Sequence, residues 1–233
     1  MKPSIVNAGA DAVIVYFSDA ISLEANQCVL QLDTALAESD LAILETVPAY
    51  SSLMVYYDIT RHSDTELRAA IKTIIESLPE ASTAMGEQGK THVIPVYYDT
   101  TVGPDLARIA ELHHCSVEQV IERHCRDSYR VYALGFAPGF AYMGEVAEDL
   151  QTPRLDSPRT QIPAGSVAIA ERQTAIYPLA SPGGWNIIGR TTFPLYEPQK
   201  GILNQLNSGD TVQFKAISKD EFIAAGGSVE AFE

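Results

Sequence analysis

The residues best equipped for chemistry fall between positions 134 and 191. LGFAPGFAYMG (134–144) interleaves Phe136, Phe140 and Tyr142 with Gly135, Gly139 and Gly144, and Pro138 stiffens its middle. Glycine permits tight turns and close backbone approach, while proline fixes φ. Such a segment can form a rigid loop with an apolar surface, or a core strand and turn of a β-barrel. In TPRLDSPR (152–159), Arg154 and Arg159 each directly follow a proline. Two guanidinium groups on stiffened backbone suit a bidentate clamp on a carboxylate or a phosphate. LASPGGWNIIGRT (179–191) then carries Trp185, the only tryptophan, from a Pro182-Gly183-Gly184 turn into a strand ending at Gly189-Arg190. Neither Ser166 nor Ser181 sits in the GxSxG elbow of a serine nucleophile.

Other motifs are weaker once their context is considered. Ala84–Thr91 matches a relaxed phosphate-loop pattern, but a helix precedes it and a strand follows, which inverts the required order. DLARIAELHHCSVEQVIERH (105–124) has the outline of a helix-turn-helix, yet Glu118 and Glu122 would face phosphate. Two packed amphipathic helices are the better reading. His113, His114, Cys115, His124 and Cys125 lie close in sequence but fit no standard zinc spacing, so no bound metal is expected.

The elements that must position these residues change character along the chain. Ala12–Phe17, Leu41–Val47, Leu53–Tyr57 and Val93–Tyr98 read as strands, with helices over Ser22–Glu38 and from Asp64 to Leu78. The order β-α-β-β-α-β fits a ferredoxin-like sandwich. Two short helices follow, Asp105–His113 and Ser116–Cys125, the second opened by a Ser116/Gln119 capping box. Beyond Arg130, Gly and Pro punctuate short strands at Val131–Phe136, Val167–Ala170, Thr174–Tyr177, Trp185–Ile188 and Thr211–Phe214. That pattern indicates an antiparallel barrel or sandwich. The expected fold class is α+β, with one domain over 1–90 and a second over 91–233.

Charge narrows the function. With 16 basic and 30 acidic side chains among 233 residues, the net charge is −14. That disfavours nucleic acid and anionic membranes as partners. The window 151–190 runs against the trend: Arg154, Arg159, Arg172 and Arg190 face only Asp156 and Glu171, a net of 4 − 2 = +2. A basic window in an acidic chain marks a place to look for an anion. Three cysteines without a CxxC pair fit a reducing compartment, and no apolar run is long enough for a leader or a membrane span. A cytoplasmic location is the expectation.

The same segments carry a family resemblance. IPVYYDTTVGPDLARIA, VIERHCRDSYRVYALGFAPGFAYMG, TPRLDSPRTQIPAGSVAIAERQTAIYPLASPGGWNIIGRT and NSGDTVQF resemble the family of 5-oxoprolinase B subunits. That family is also called allophanate hydrolase subunit 1 and includes the sporulation-kinase inhibitor KipI. The resemblance implies a ferredoxin-like α/β sandwich followed by a cyclophilin-like β-barrel. It implies work with the C and A subunits of 5-oxoprolinase to open 5-oxo-L-proline to L-glutamate at the expense of ATP with Mg²⁺, the chain alone being inactive. It implies His124, Arg154 and Arg159 as catalytic residues, His124 moving a proton and the arginines holding phosphate or substrate carboxylate. Gly135, Phe136, Pro138, Gly139, Phe140, Tyr142, Ser166, Pro182, Gly183, Gly184, Trp185 and Arg190 would line the ligand site. Backbone amides at Gly135–Gly139 or Gly183–Gly184 would meet developing oxyanions. The alternative implied by KipI is a protein that docks on a histidine kinase and blocks its autophosphorylation.

Overall fold

The computed structural model describes residues 3–79 and 89–229. The chain divides into two compact units, Met1–Gln88 and Gly89–Glu233.

The first unit sets four antiparallel strands against two helices. Its elements are β1 (Ser4–Asn7), β2 (Ala12–Tyr16), α1 (Leu23–Ala37), β3 (Ile43–Pro48), β4 (Ser52–Tyr57) and α2 (Asp64–Ser77). Alternation in β2 and β4 turns Val13, Val15, Leu53, Val55 and Tyr57 to one face. There they meet Val29, Leu32 and Leu36 of α1 and Leu67 and Ile71 of α2. Ser22 caps α1 by accepting the Ala25 N–H, and Ser63 with Glu66 forms a capping box on α2.

The sheet order is β1-β2-β4-β3. This is a ferredoxin-like sheet in which the outer strand beside β2 comes from the start of the chain. The sequence pattern predicts Val93–Tyr98 in that role. Instead β1 fills the edge, pairing Ile5 with Val15. β1 escapes sequence detection because its four residues are largely exposed and carry no hydrophobic alternation.

The second unit is a closed seven-stranded barrel of cyclophilin-like type. Its strands are β5 (Thr91–Tyr97), β6 (Ser128–Leu134), β7 (Ala141–Gly144), β9 (Ser166–Ala170), β10 (Gln173–Ile176), β12 (Asn186–Arg190) and β13 (Thr211–Ile217). They close in the order β10-β7-β6-β13-β5-β12-β9. β5 and β13 run parallel, Thr91 opposite Thr211 through Tyr97 opposite Ile217. Gly89, from the phosphate-loop lookalike, sits at this seam: a Cβ there would lie 2.0 Å from the Gly209 carbonyl oxygen. Ala84–Gln88 of that lookalike lie outside the described residues.

Helices α3 (Leu106–Leu112) and α4 (Val117–Arg126) pack on the barrel, and α5 (Lys219–Ala224) follows its last strand. The Ser116/Gln119 capping box is present on α4. A separate ribbon pairs β8 (Arg159–Ile162) with β11 (Ser181–Gly183).

Strands β9, β10 and β12 are buried on both faces. Val167, Ile169, Ile176 and Ile188 enter the main barrel core. Their neighbours Ala168, Ala170, Ala175 and Ile187 join a second cluster with Phe140, Ile162, Tyr177 and Trp185. The period of two along each strand separates the clusters. Small alanines on the outer face leave room for the aromatic rings, and Ile162 brings the β8–β11 ribbon over them. Among the described residues no helix is long and apolar enough to cross a membrane.

Candidate functional site

The second cluster opens at one end into a cleft of about 130 Å³. Its walls are Phe136, Phe140, Tyr142, Tyr177 and Trp185; its rim is Arg154 and the Pro182–Gly184 turn. Phe140 is the hub, edge-on to Phe136, Tyr142, Tyr177 and Trp185 at centroid distances of 4.9–5.9 Å. Edge-to-face packing fixes the rings relative to one another. The Arg154 guanidinium carbon stands 5.8 Å from the Trp185 ring centroid, within cation–π range.

Each wall has a local cause. Gly183 is required where it stands: a Cβ would come within 2.3 Å of the Tyr177 hydroxyl. The Tyr177 hydroxyl accepts the Trp185 backbone N–H, and burial raises its pKa to about 12, so it stays protonated. Phe136 adopts φ +72° and is 62% exposed. A left-handed phenylalanine costs energy, and glycines at positive φ flank it on both sides, Gly135 at +154° and Gly139 at +79°. Phe136 also borders a second, wider depression of about 340 Å³ lined by Gly135, Ala137, Pro138, Gly139 and Asn204.

The loop bearing Arg154 is held on both sides. Asn186, fully buried, donates from Nδ2 to the Pro153 carbonyl at 2.9 Å and to the Ile169 carbonyl at 3.1 Å. Its Oδ1 accepts from Arg108. The Leu155 N–H donates to the Gly184 carbonyl at 2.8 Å, tying the loop to the glycine turn.

Several sequence expectations change here. Arg159 is not a second anion clamp: its guanidinium is engaged by the buried Asp105 carboxylate through two 2.9 Å hydrogen bonds. His124 is not placed to carry a proton. It is fully buried, with Nδ1 2.8 Å from the Tyr98 hydroxyl and Nε2 2.9 Å from the Thr174 hydroxyl. Its ring stacks on Phe214 and Tyr129. Burial drives its pKa down to about 3, so the imidazole is neutral and structural.

Ser166 and Arg190 stand apart from the cleft. They face each other in register across β9 and β12, both buried, and Arg190 donates to the Ser228 carbonyl at 3.1 Å. The Gly135 N–H is spent on the Phe140 carbonyl at 3.1 Å, which removes it as an oxyanion donor. Phe136, Phe140, Tyr142, Pro182, Gly183, Gly184, Trp185 and Arg154 do converge. Tyr177 lines the cleft, while Asp105 and Asn186 hold the loop that bears Arg154, and sequence reasoning does not single out any of the three. Tyr177 reads as one more core residue of a short strand.

The class of protein follows from comparison with known families. The chain belongs to the family described as the carboxyltransferase domain, subdomain C and D, whose model matches residues 3–203. Within that class its relatives are 5-oxoprolinase B subunits. It is 35% identical over 232 residues to the 5-oxoprolinase B subunit of Bacillus subtilis, covering 96% of this chain and 97% of that one. The corresponding B subunit of Escherichia coli O157:H7 is 36% identical over 208 residues, covering 88% of this chain and 92% of that one.

Solved structures agree on architecture. The protein TTHA0988 superposes with TM-score 0.78 at 38% identity, over 89% of this chain and 40% of its own. The present chain thus spans about two fifths of that longer polypeptide. The Kluyveromyces lactis urea carboxylase shares the fold at TM-score 0.70 and 17% identity, over 95% of this chain and 22% of that one.

Proposed function

We propose that the chain is the B subunit of an ATP-dependent 5-oxoprolinase, working with the C and A subunits to convert 5-oxo-L-proline to L-glutamate. The observation that carries this reading is similarity over nearly the full length of a relative bearing that name, at 35% identity. ATP with Mg²⁺ is consumed by the assembled complex, and the chain by itself is inactive. The cleft beside Arg154 is its contribution to the active site. Arg154 supplies positive charge, the aromatic walls exclude water, and the Tyr177 hydroxyl offers a hydrogen-bond donor.

The test is reconstitution. Mixing the chain with its C and A partners, 5-oxoproline, ATP and Mg²⁺ should release glutamate, and omitting this chain should abolish release. Release that is undiminished without it would overturn the assignment.

A further inference from the structure

The cleft is selective in ways its residues make explicit. Of the four arginines in the basic window, Arg159 is engaged by Asp105, Arg172 by Glu145 and Arg190 by the Ser228 carbonyl. Arg154 makes no ion pair among the described residues, and its guanidinium lies over Trp185. A guanidinium held beside an aromatic face, with its charge uncompensated, is ready for one carboxylate. The remaining walls combine aromatic rings with the Pro182–Gly184 backbone and the hydroxyls of Tyr142 and Tyr177.

Size limits the ligand further. About 130 Å³ is well below the roughly 300–1,000 Å³ of a drug-sized or cofactor site. A phosphate dianion would meet a single cation there, and no face of it would match the aromatic rings of Phe140 and Trp185. A small ring bearing a single carboxylate satisfies both halves of the cleft. The Tyr177 hydroxyl already accepts the Trp185 N–H, so its own hydrogen is available to a carbonyl on that ring.

We propose that this cleft seats the lactam substrate itself, a small cyclic amide carboxylate, with its ring against Trp185 and Phe140, its carboxylate on Arg154 and its amide carbonyl toward the Tyr177 hydroxyl. The proposal rests on the reading of the chain as part of a 5-oxoprolinase, and it places substrate recognition in this chain rather than in its partners. Asn186 is then a positioning residue, because it holds the Pro153 carbonyl next to Arg154.

Trp185 is the only tryptophan, so the protein carries its own probe. The full chain, alone and assembled with its C and A partners, is titrated with 5-oxo-L-proline while tryptophan emission is followed. A saturable change is expected, with affinity reduced at least tenfold in Arg154→Met. The lactam 2-pyrrolidinone lacks the carboxylate and should bind wild type at least tenfold more weakly, with no further loss in the variant. In the assembled complex, Arg154→Met should raise KM for 5-oxoproline at least tenfold and leave KM for ATP unchanged. Arg154→Lys should recover part of the loss by restoring charge without the planar fork.

The outcomes separate the two claims. An assembled complex that turns over 5-oxoproline with the same KM in Arg154→Met sinks the cleft assignment and leaves the 5-oxoprolinase reading intact. No emission change with 5-oxoproline in either chain or complex also sinks it, as does inorganic phosphate competing at equal concentration. Binding through Arg154 with no turnover by the complex retains the cleft and removes the 5-oxoprolinase reading.

Discussion

Asp105 grips Arg159 with both carboxylate oxygens, each 2.9 Å from a guanidinium nitrogen, and one of those oxygens also accepts the Ile187 N–H at 2.7 Å. One buried carboxylate thus ties the end of the Arg154 loop to barrel strand β12. Arg154 and Arg159 follow proline in the same way, yet Arg159 is bound into the fold while Arg154 faces the cleft.

Removing Arg159 leaves Asp105 buried with a single backbone donor. Arg159→Ala should therefore destabilise the protein by about 2–4 kcal/mol, the low end of a broken buried pair because Arg159 is partly exposed. Arg154→Ala, at an exposed position, should change stability by no more than about 0.5 kcal/mol. Urea unfolding of the two variants checks the contrast. Equal losses would contradict the assignment of roles.

The glycine turn offers a steric test. Gly183→Ala forces a methyl group to within 2.3 Å of the Tyr177 hydroxyl and 2.9 Å of an Ile162 methyl. A loss of about 1–3 kcal/mol is expected from overpacking. Gly184→Ala meets nothing nearer than 3.7 Å and should be tolerated. Tyr177→Phe added to Gly183→Ala should recover part of the loss, which thermal melts of the single and double variants will show.

Asn186→Ala should loosen the Arg154 loop. It leaves the Pro153 and Ile169 carbonyls without their buried donor, costing about 1–3 kcal/mol. The Leu155 amide, bonded to the Gly184 carbonyl, should then exchange with deuterium faster than it does in wild type, while amides in β13 keep their protection. Unchanged protection at Leu155 would show that the loop does not depend on Asn186.

His124 sets part of the acid sensitivity. Its folded pKa of about 3 lies below the roughly 6.5 of an exposed histidine. Between those values the unfolded chain binds a proton that the folded chain refuses. Stability from this group is full above about pH 6.5 and falls as pH drops toward 3, by about 1.4 kcal/mol per unit. Melting temperature measured from pH 7 to pH 4 should fall less in His124→Gln than in wild type.

Much of the fold is legible in the sequence, and the failures share a cause. The alternation in Ala12–Tyr16 and Ser52–Tyr57, the capping boxes and the punctuated barrel strands are local patterns, and local patterns survive into the fold. The partner of Arg159 lies 54 residues upstream, and β5 pairs with a strand about 120 residues further on. Nothing near Arg159 or Val93 in sequence reports either. His124 does carry a usable signal: it is four residues after buried Val120, on the apolar face of α4. Its residue type suggests proton chemistry, whereas its spacing already places it in the core.

Ala168, Ala170 and Ala175 lie under the aromatic cluster while Val167, Ile169 and Ile176 fill the barrel behind them. The same strands therefore carry two independent dials. Enlarging an outward alanine would make the cleft shallower without touching the barrel interior, and repacking an inward aliphatic would alter stability without reshaping the cleft. Single methyl groups on one side of a wall would thus reshape the aromatic layer, while the other side keeps the barrel closed.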